Sequence, residues 1–213
     1  MRAKRTVIGV ALCIAALCAI VLGADTAFAD TVLGSALATG PAVPSLCGGT
    51  VCTVYQAAAP SETLTAPAAG TITSWSVRSS EAGARYELRV MRPAGGGFTA
   101  VGTSAPQTVA DATDSVRGPF PAGLAVQAGD RLAVTVLSGQ GAPVSNDITT
   151  PLADELNYFS DGFADGASES PALSPPLGGN QELLLQATFH PSDTGGGGGG
   201  GGGAGGGGGG GGS

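Results

Sequence analysis

Lysine is nearly missing from this 213-residue chain, Lys4 being the only one, and histidine and tryptophan occur once each, as His190 and Trp75. A chain without lysine after its fourth residue has no lysine nucleophile or Schiff-base chemistry to offer. A lone histidine with no Cys/His cluster at ligand or triad spacing excludes a conventional zinc site and a Ser-His-Asp relay, and a Gly-x-Ser-x-Gly elbow is missing too. No glycine-rich loop follows a strand pattern and opens a helix, so a phosphate cradle is excluded. After residue 29 no long segment repeats with a 3.6-residue period, which excludes a helical bundle.

The longest apolar run is the one from Thr6 to Gly23. Arg2, Lys4 and Arg5 precede it, and Ala27-Phe28-Ala29 follows, the layout of a secretory signal with a small-residue cleavage site. Cleavage is expected between Ala29 and Asp30; retention as a membrane anchor is the competing reading, because the run is near the lower length limit for a spanning helix. Residues 1–29 are thus read as a signal peptide, 30–192 as one domain and 193–213 as a disordered tail. In that tail Gly195 to Gly212 is glycine throughout except for Ala204, with nothing to bury against a core. Loss of the signal takes the 9 basic residues to 6 and the 16 acidic ones to 15, a formal charge of −9. So acidic a domain is repelled by phosphate backbones and anionic lipid, so no nucleic-acid partner is expected, and no membrane contact after cleavage. Cys13 and Cys18 leave with the signal. Cys47 and Cys52 remain, and in an oxidising compartment they are expected to form a disulfide around a Gly48-Gly49 turn; C-x4-C is not the C-x-x-C of redox enzymes.

Apolar residues between 50 and 190 recur mainly with period two, the mark of half-buried strands. Tyr86, Leu88 and Val90 alternate with Arg85, Glu87 and Arg89, which predicts a core face and a charged, wet face. Leu132, Val134 and Val136 repeat the pattern, as do Leu183, Leu185, Ala187 and Phe189, with Leu184 out of phase. Further strands are predicted near 51–56, 71–77, 98–103 and 120–126. Ile72 and Trp75 fall on opposite faces of a regular strand, which implies a bulge or two-sided burial. Gly/Pro-rich turns separate these runs, so the fold class is all-β: an antiparallel β-sandwich of jelly-roll or immunoglobulin-like topology.

Five short stretches, Cys47-Gly-Gly-Thr-Val-Cys52-Thr53, Gly70-Thr-Ile-Thr-Ser-Trp75, Leu88-Arg-Val-Met-Arg92, Val126-Gln-Ala-Gly-Asp130 and Glu182-Leu-Leu-Leu-Gln-Ala187, together span most of the domain. In them the chain resembles a group of exported actinobacterial β-sandwich proteins. The resemblance implies fold and export and carries no activity. In similar chains the last strand often runs into Asp/Gly-rich calcium-binding repeats, whereas His190-Pro-Ser-Asp-Thr194 leads here into glycine, so a calcium role of that kind is not implied.

Few residues suggest chemistry. Paired carboxylates can hydrolyse glycosidic bonds, and Glu62, Glu81, Glu87, Asp154 and Glu155 are available, though any acidic exported protein has such candidates. The segment from Asp154 to Gly166 gathers Asp154, Glu155, Asn157, Asp161 and Asp165 among turn glycines; it is expected to bind Ca2+ weakly through Asp154, Asp161 and Asp165 if it folds as a loop, and otherwise to be a solvated acidic connection. Tyr158, Phe159 and Phe163 in it could stack on sugar rings if exposed or plug the sandwich if buried. His190 is expected at the surface, Trp75 in the core. Of the arginines at 78, 85, 89, 92, 117 and 131, Arg85 and Arg89 are expected to pair with Glu87, an anion-binding patch being the alternative. The reading is a non-catalytic module, secreted or held in the cell envelope, with a binding, adhesion or structural role, needing no cofactor beyond weak Ca2+. A cell-envelope glycan or surface protein is its expected partner; a secreted hydrolase acting on polysaccharide, or a carbohydrate-binding module, is the alternative.

Overall fold

The computed structural model describes residues 29–38, 40–146, 154–173, 176–178 and 181–192. The expected signal segment and the polyglycine tail lie outside them. Every regular element among the described residues is a strand: β1 (Thr31–Gly34), β2 (Val43–Ser45), β3 (Cys52–Ala58), β4 (Gly70–Ser79), β5 (Arg85–Ala94), β6 (Gly97–Thr103), β7 (Gln107–Thr108) and β8 (Ser115–Val126). They are followed by β9 (Arg131–Ser138), β10 (Ala142–Ser145), β11 (Glu155–Phe159), β12 (Ser168–Glu169), β13 (Leu177–Gly178), β14 (Glu182–Leu183) and β15 (Leu185–Pro191).

The ladder order decides the topology. One sheet runs β1-β15-β4-β8, and the central part of the other runs β3-β9-β5-β6. With these eight strands counted in chain order, the sheets read 1-8-3-6 and 2-7-4-5. That is jelly-roll connectivity, two Greek keys wrapped into a sandwich. The second sheet is extended by β11 and β13 beyond β3 and by β12 beyond β6, while β14, β10 and β2 form a small separate sheet.

The core lies between the two main sheets. Leu33, Ile72, Trp75, Val77, Leu185, Ala187 and Phe189 from the first meet Val54, Tyr86, Leu88, Val90, Leu132, Val134 and Val136 from the second, all buried. Period-two alternation puts them on the inner faces. Ile72 and Trp75 are both inside because β4 carries one extra residue against β15, where Thr188 lies opposite Ser74 and Phe189 opposite Ile72. That shift resets the phase of β4 once, as a bulge does. Leu184 is buried out of phase where the chain passes from β14 in the small sheet to β15 in the large one, packing with Leu37 and Ala42.

Two expectations need correction. The Arg85/Glu87/Arg89 face of β5 is wet only at one end: Arg85 is exposed and Glu87 half-buried, but Arg89 is buried, because residues 160–167 fold back across this outer face. Phe159 and Phe163 stack at 4.3 Å between ring centroids and bury Tyr55, Met91, Ala100 and Ala133 beneath them. The flap is tied to β6 by the Gly166 amide donating to the Ala100 carbonyl (2.8 Å) and the Ala100 amide to the Ala167 carbonyl (3.0 Å). Second, the stretch from Asp154 to Gly166 is not one loop. Its first half is β11, antiparallel to β3 with Tyr158 opposite Val54 and Phe159 opposite Thr53.

Candidate functional site

A concave feature lies where the cysteine loop meets β11. The Cys47–Cys52 disulfide is formed, with Cα atoms 5.4 Å apart. Leu46, Cys47, Gly48 and Gly49 all have positive φ, so the chain coils left-handed immediately before β3. Two glycines in four such positions reduce the steric cost, and the disulfide fixes the rest. The Thr50 amide donates to the Cys47 carbonyl at 3.0 Å and closes the coil. On the other side, buried Asn157 clamps a separate stretch: its Nδ2 donates to the Leu173 carbonyl (2.8 Å) and its Oδ1 accepts the Leu173 amide (3.1 Å). The Ala172 amide donates to the Tyr158 carbonyl at 2.8 Å.

Between these walls lies a groove of about 430 Å³ lined by Leu46, Cys47, Gly48, Thr50, Cys52, Tyr158, Ser160, Leu173 and Leu177. Its volume falls within the range of small-ligand sites. Among the described residues the lining is one tyrosine, three leucines, a disulfide and the hydroxyls of Thr50 and Ser160, without a charged side chain. Of the three aromatics in the segment, Phe159 at the end of β11 and Phe163 in the flap are buried against each other, and Tyr158 alone, half-buried, reaches this groove. Backbone strain and side-chain clamps fix both walls, so the groove is formed before any ligand arrives.

The three residues expected to bind calcium are divided. Asp161 turns back on its own loop, Oδ1 accepting the Phe163 amide at 2.8 Å. Asp165 accepts the Arg89 guanidinium at 2.8 Å and the Thr103 hydroxyl at Oδ1. Asp154 lies beyond the opposite end of β11, five strand residues and about 17 Å from the flap at strand rise,. Among the described residues no group of three or more Asp, Glu, His or Cys is arranged to hold a metal ion. The physical reason is the strand, which spreads the carboxylates that a loop would have gathered.

Asp154 joins a different group. Glu62, in the connection from β3 to β4, lies near Glu182 of β14; the Asp154 charge acts on Glu62, and the Glu182 charge acts on Asp154. Burial, the nearby Glu182 carboxyl and the Asp154 charge push Glu62 up to about 8, against a smaller opposing effect of the Ala36 amide. Burial and Glu182 likewise raise Asp154. Glu182 is buried and accepts the Ser35 hydroxyl. Gln56 spans the cluster, Nε2 donating to the carbonyls of Ala58 (2.9 Å), Glu155 (3.2 Å) and Gln181 (3.1 Å), and Oε1 accepting the Leu183 amide (2.7 Å).

Four of the six described arginines are engaged by carboxylates. Arg78 binds Asp114 through two parallel bonds of 2.9 Å, and Arg92 binds Asp130 likewise at 2.9 and 2.8 Å. Arg117 pairs with Asp111, and Arg131 donates to the carbonyls of Gln56 and Ala57. Guanidinium groups so occupied do not form an anion-binding patch. His190 is exposed as expected, with Nδ1 2.8 Å from Asp30 Oδ1, joining the start of β1 to the end of β15. Ser35 and Gln56 escaped the sequence reading, which had Asn157 as an oxygen ligand beside the acids and gave Asp30 and Glu182 no part in a site. Only Gln56 left a signal, a polar residue in the inward phase of Cys52 and Val54.

No family model matches the chain, and no curated protein is significantly similar to it. A solved structure of the cysteine protease and lectin-like domains of Cwp84, a surface layer associated protein of Clostridium difficile, aligns with 68% of this chain at 11% identity and a TM-score of 0.41. The alignment takes in 32% of that structure, so the chain matches about a third of its length.

Proposed function

We propose that the chain is an exported, non-catalytic jelly-roll module that binds a neutral cell-envelope sugar in the groove between the disulfide loop and β11. The observation that carries this reading is the lining: a half-buried tyrosine ring flanked by leucines and the hydroxyls of Thr50 and Ser160, with no charged side chain among the described residues, in a groove of about 430 Å³. A pyranose ring has an apolar face for an aromatic side chain and hydroxyls for Ser160 and Thr50, and nothing in the groove rewards a charge. Export is supported by the basic-apolar-Ala-x-Ala start of the sequence and by the disulfide, which persists in oxidising compartments.

The test is calorimetric titration of the purified domain with a panel of neutral and acidic glycans, product release being followed in the same mixtures. Neutral sugars are expected to bind, and Tyr158→Ala to weaken binding about tenfold, the equivalent of ~1.4 kcal/mol. Binding that Tyr158→Ala leaves unchanged would remove the site from the proposal. Release of shorter sugars that stops in Glu62→Gln would replace a binding module by a polysaccharide hydrolase.

A further inference from the structure

We infer that the Cys47–Cys52 disulfide is a redox switch for the groove, whose coil wall stands only while the bond is oxidised; this rests on the groove being the sugar site proposed above. The coil is anchored at both ends and held weakly between them. Before it, β2 pairs with β10, Ser45 lying opposite Ala142, and after it β3 pairs with β9, Cys52 lying opposite Val136. Among the described residues the hydrogen bonds of 46–51 are local: the Gly48 amide donates to the Leu46 carbonyl (2.6 Å), and the Thr50 amide (3.0 Å) and hydroxyl (2.5 Å) donate to the Cys47 carbonyl. Leu46 and Cys47 lean on the core from its edge, and Val51 borders Gly162 of the flap. The tip is unpacked, because a Cβ placed on Gly48 or Gly49 would meet nothing within 4 Å. These two glycines also border a second, open cleft of about 580 Å³ beside Glu81, Gly139 and Gln140, so a released coil has room to move.

Leu46 (φ 61°) and Cys47 (φ 57°) are held in the left-handed region that residues with a Cβ avoid. The closed ring confines them there. Once it is cut, nothing covalent opposes their return to ordinary backbone angles, and the two glycines, which have the most backbone freedom to regain, favour the open chain. Leu46, Cys47, Gly48 and Thr50 then leave the groove wall, while the ladders on either side remain. Cys47 is the point of attack, being half-buried and in the groove lining, whereas Cys52 is buried. A thiolate of an external dithiol attacks Cys47 Sγ, the Cys47–Cys52 bond breaks, and Cys52 leaves as a thiolate that takes up a proton. The second thiol of the reductant resolves the mixed disulfide and releases Cys47. The protein thus gains two electrons and two protons, and the dithiol becomes a cyclic disulfide. The effect is reciprocal by linkage: a tenfold loss of sugar affinity on reduction requires saturating sugar to lower the disulfide's potential by about 30 mV.

The experiment compares the full chain before and after dithiothreitol, by nitrogen-15 relaxation and by calorimetric titration with neutral glycans, with alkylation and peptide mass tracking Cys47 and Cys52. In the oxidised chain the order parameters of Gly48, Gly49 and Thr50 should be those of a rigid backbone, about 0.85; in the reduced chain they should fall below about 0.6 while β3 and β9 hold. Sugar affinity should drop at least tenfold on reduction and return on reoxidation. Cys47→Ser with Cys52→Ser should reproduce the reduced state, which separates loss of the bond from any other effect of the reductant. A reduced coil as rigid as the oxidised one would overturn the switch. So would undiminished sugar binding by the reduced chain, or a disulfide that dithiothreitol leaves intact in the folded protein. An oxidised chain that binds none of the glycans overturns the sugar reading alone, and the order parameters then decide the switch.

Discussion

A raised carboxyl pKa has a consequence for stability whose sign is opposite to the usual acid loss. Glu62 titrates near 8 in the folded chain and near 4.5 when unfolded, so between these values the folded state holds a proton that the unfolded state has released. Its contribution is present in full below pH 4.5 and is lost as pH rises through 8. Urea unfolding followed by Trp75 emission should therefore show stability falling across that window, and Glu62→Gln should flatten the fall. A wild-type profile that is level from pH 5 to pH 9 would contradict the assignment. Arg89 is a second residue whose neighbours decide its worth. It sits buried under the flap, Nε donating to the Thr135 hydroxyl at 3.0 Å and Nη1 to Asp165. Arg89→Leu should lower stability by about 2 kcal/mol, the scale of lost charged hydrogen bonds. Asp165→Asn should cost under ~1 kcal/mol, because that carboxylate is largely in solvent. Equal effects from the two substitutions would show that the pair acts as one buried unit.

At the scale of elements, the flap of residues 160–167 and the cysteine coil are the two additions that distinguish this sandwich from a bare jelly roll. Phe163→Ala should destabilise the chain by about 3 to 4 kcal/mol, since it removes one of two stacked rings that roof Met91, Ala100 and Ala133. The coil is cheaper to lose. The double substitution Cys47→Ser with Cys52→Ser opens a ring of six residues and should cost about 2 kcal/mol in stability while the sheets stay intact, by far-ultraviolet circular dichroism. Calcium at several millimolar should leave the melting curve where EDTA leaves it, because Asp161 is engaged by its own turn and Asp165 by Arg89. A rise in melting temperature specific to calcium would mean that the flap rearranges around the ion. The eight sandwich strands include all the long alternating ones, and these were legible because half-burial writes its period into the sequence. The irregularity between Ile72 and Trp75 was legible for the same reason. β11 was not: Glu-Leu-Asn-Tyr-Phe is polar and short, flanked by acids and glycines, and only pairing with β3 makes it a strand. The Glu62–Glu182 contact was hidden by a separation in sequence that no local pattern can bridge, and the wet-face reading of Arg89 failed because a single sequence does not show which sheet faces are covered twice.

For the molecule as a whole, the registers give a direction. Pro191 lies opposite Gly70 at the start of β4, whereas Cys52 lies opposite Val136, itself opposite Tyr86, whose hydroxyl is 3.3 Å from that of Ser79 at the far end of β4. The first and last strands of the sandwich therefore meet the solvent at one end, joined by Asp30 and His190, and the groove opens toward the other. β15 is also placed between β1 and β4, with Ala187 opposite Trp75. A chain truncated at residue 181 lacks that central strand and should show no cooperative unfolding and a solvent-exposed Trp75 emission; a cooperative transition in it would show that the second sheet folds alone. Under the proposed export, with the N-terminus leading, this wiring acts as a timer. β1 can wait at the exit of the channel, but the sheet has a gap in its middle until the last described strand has passed through, and a polypeptide that cannot close early stays thin enough to thread.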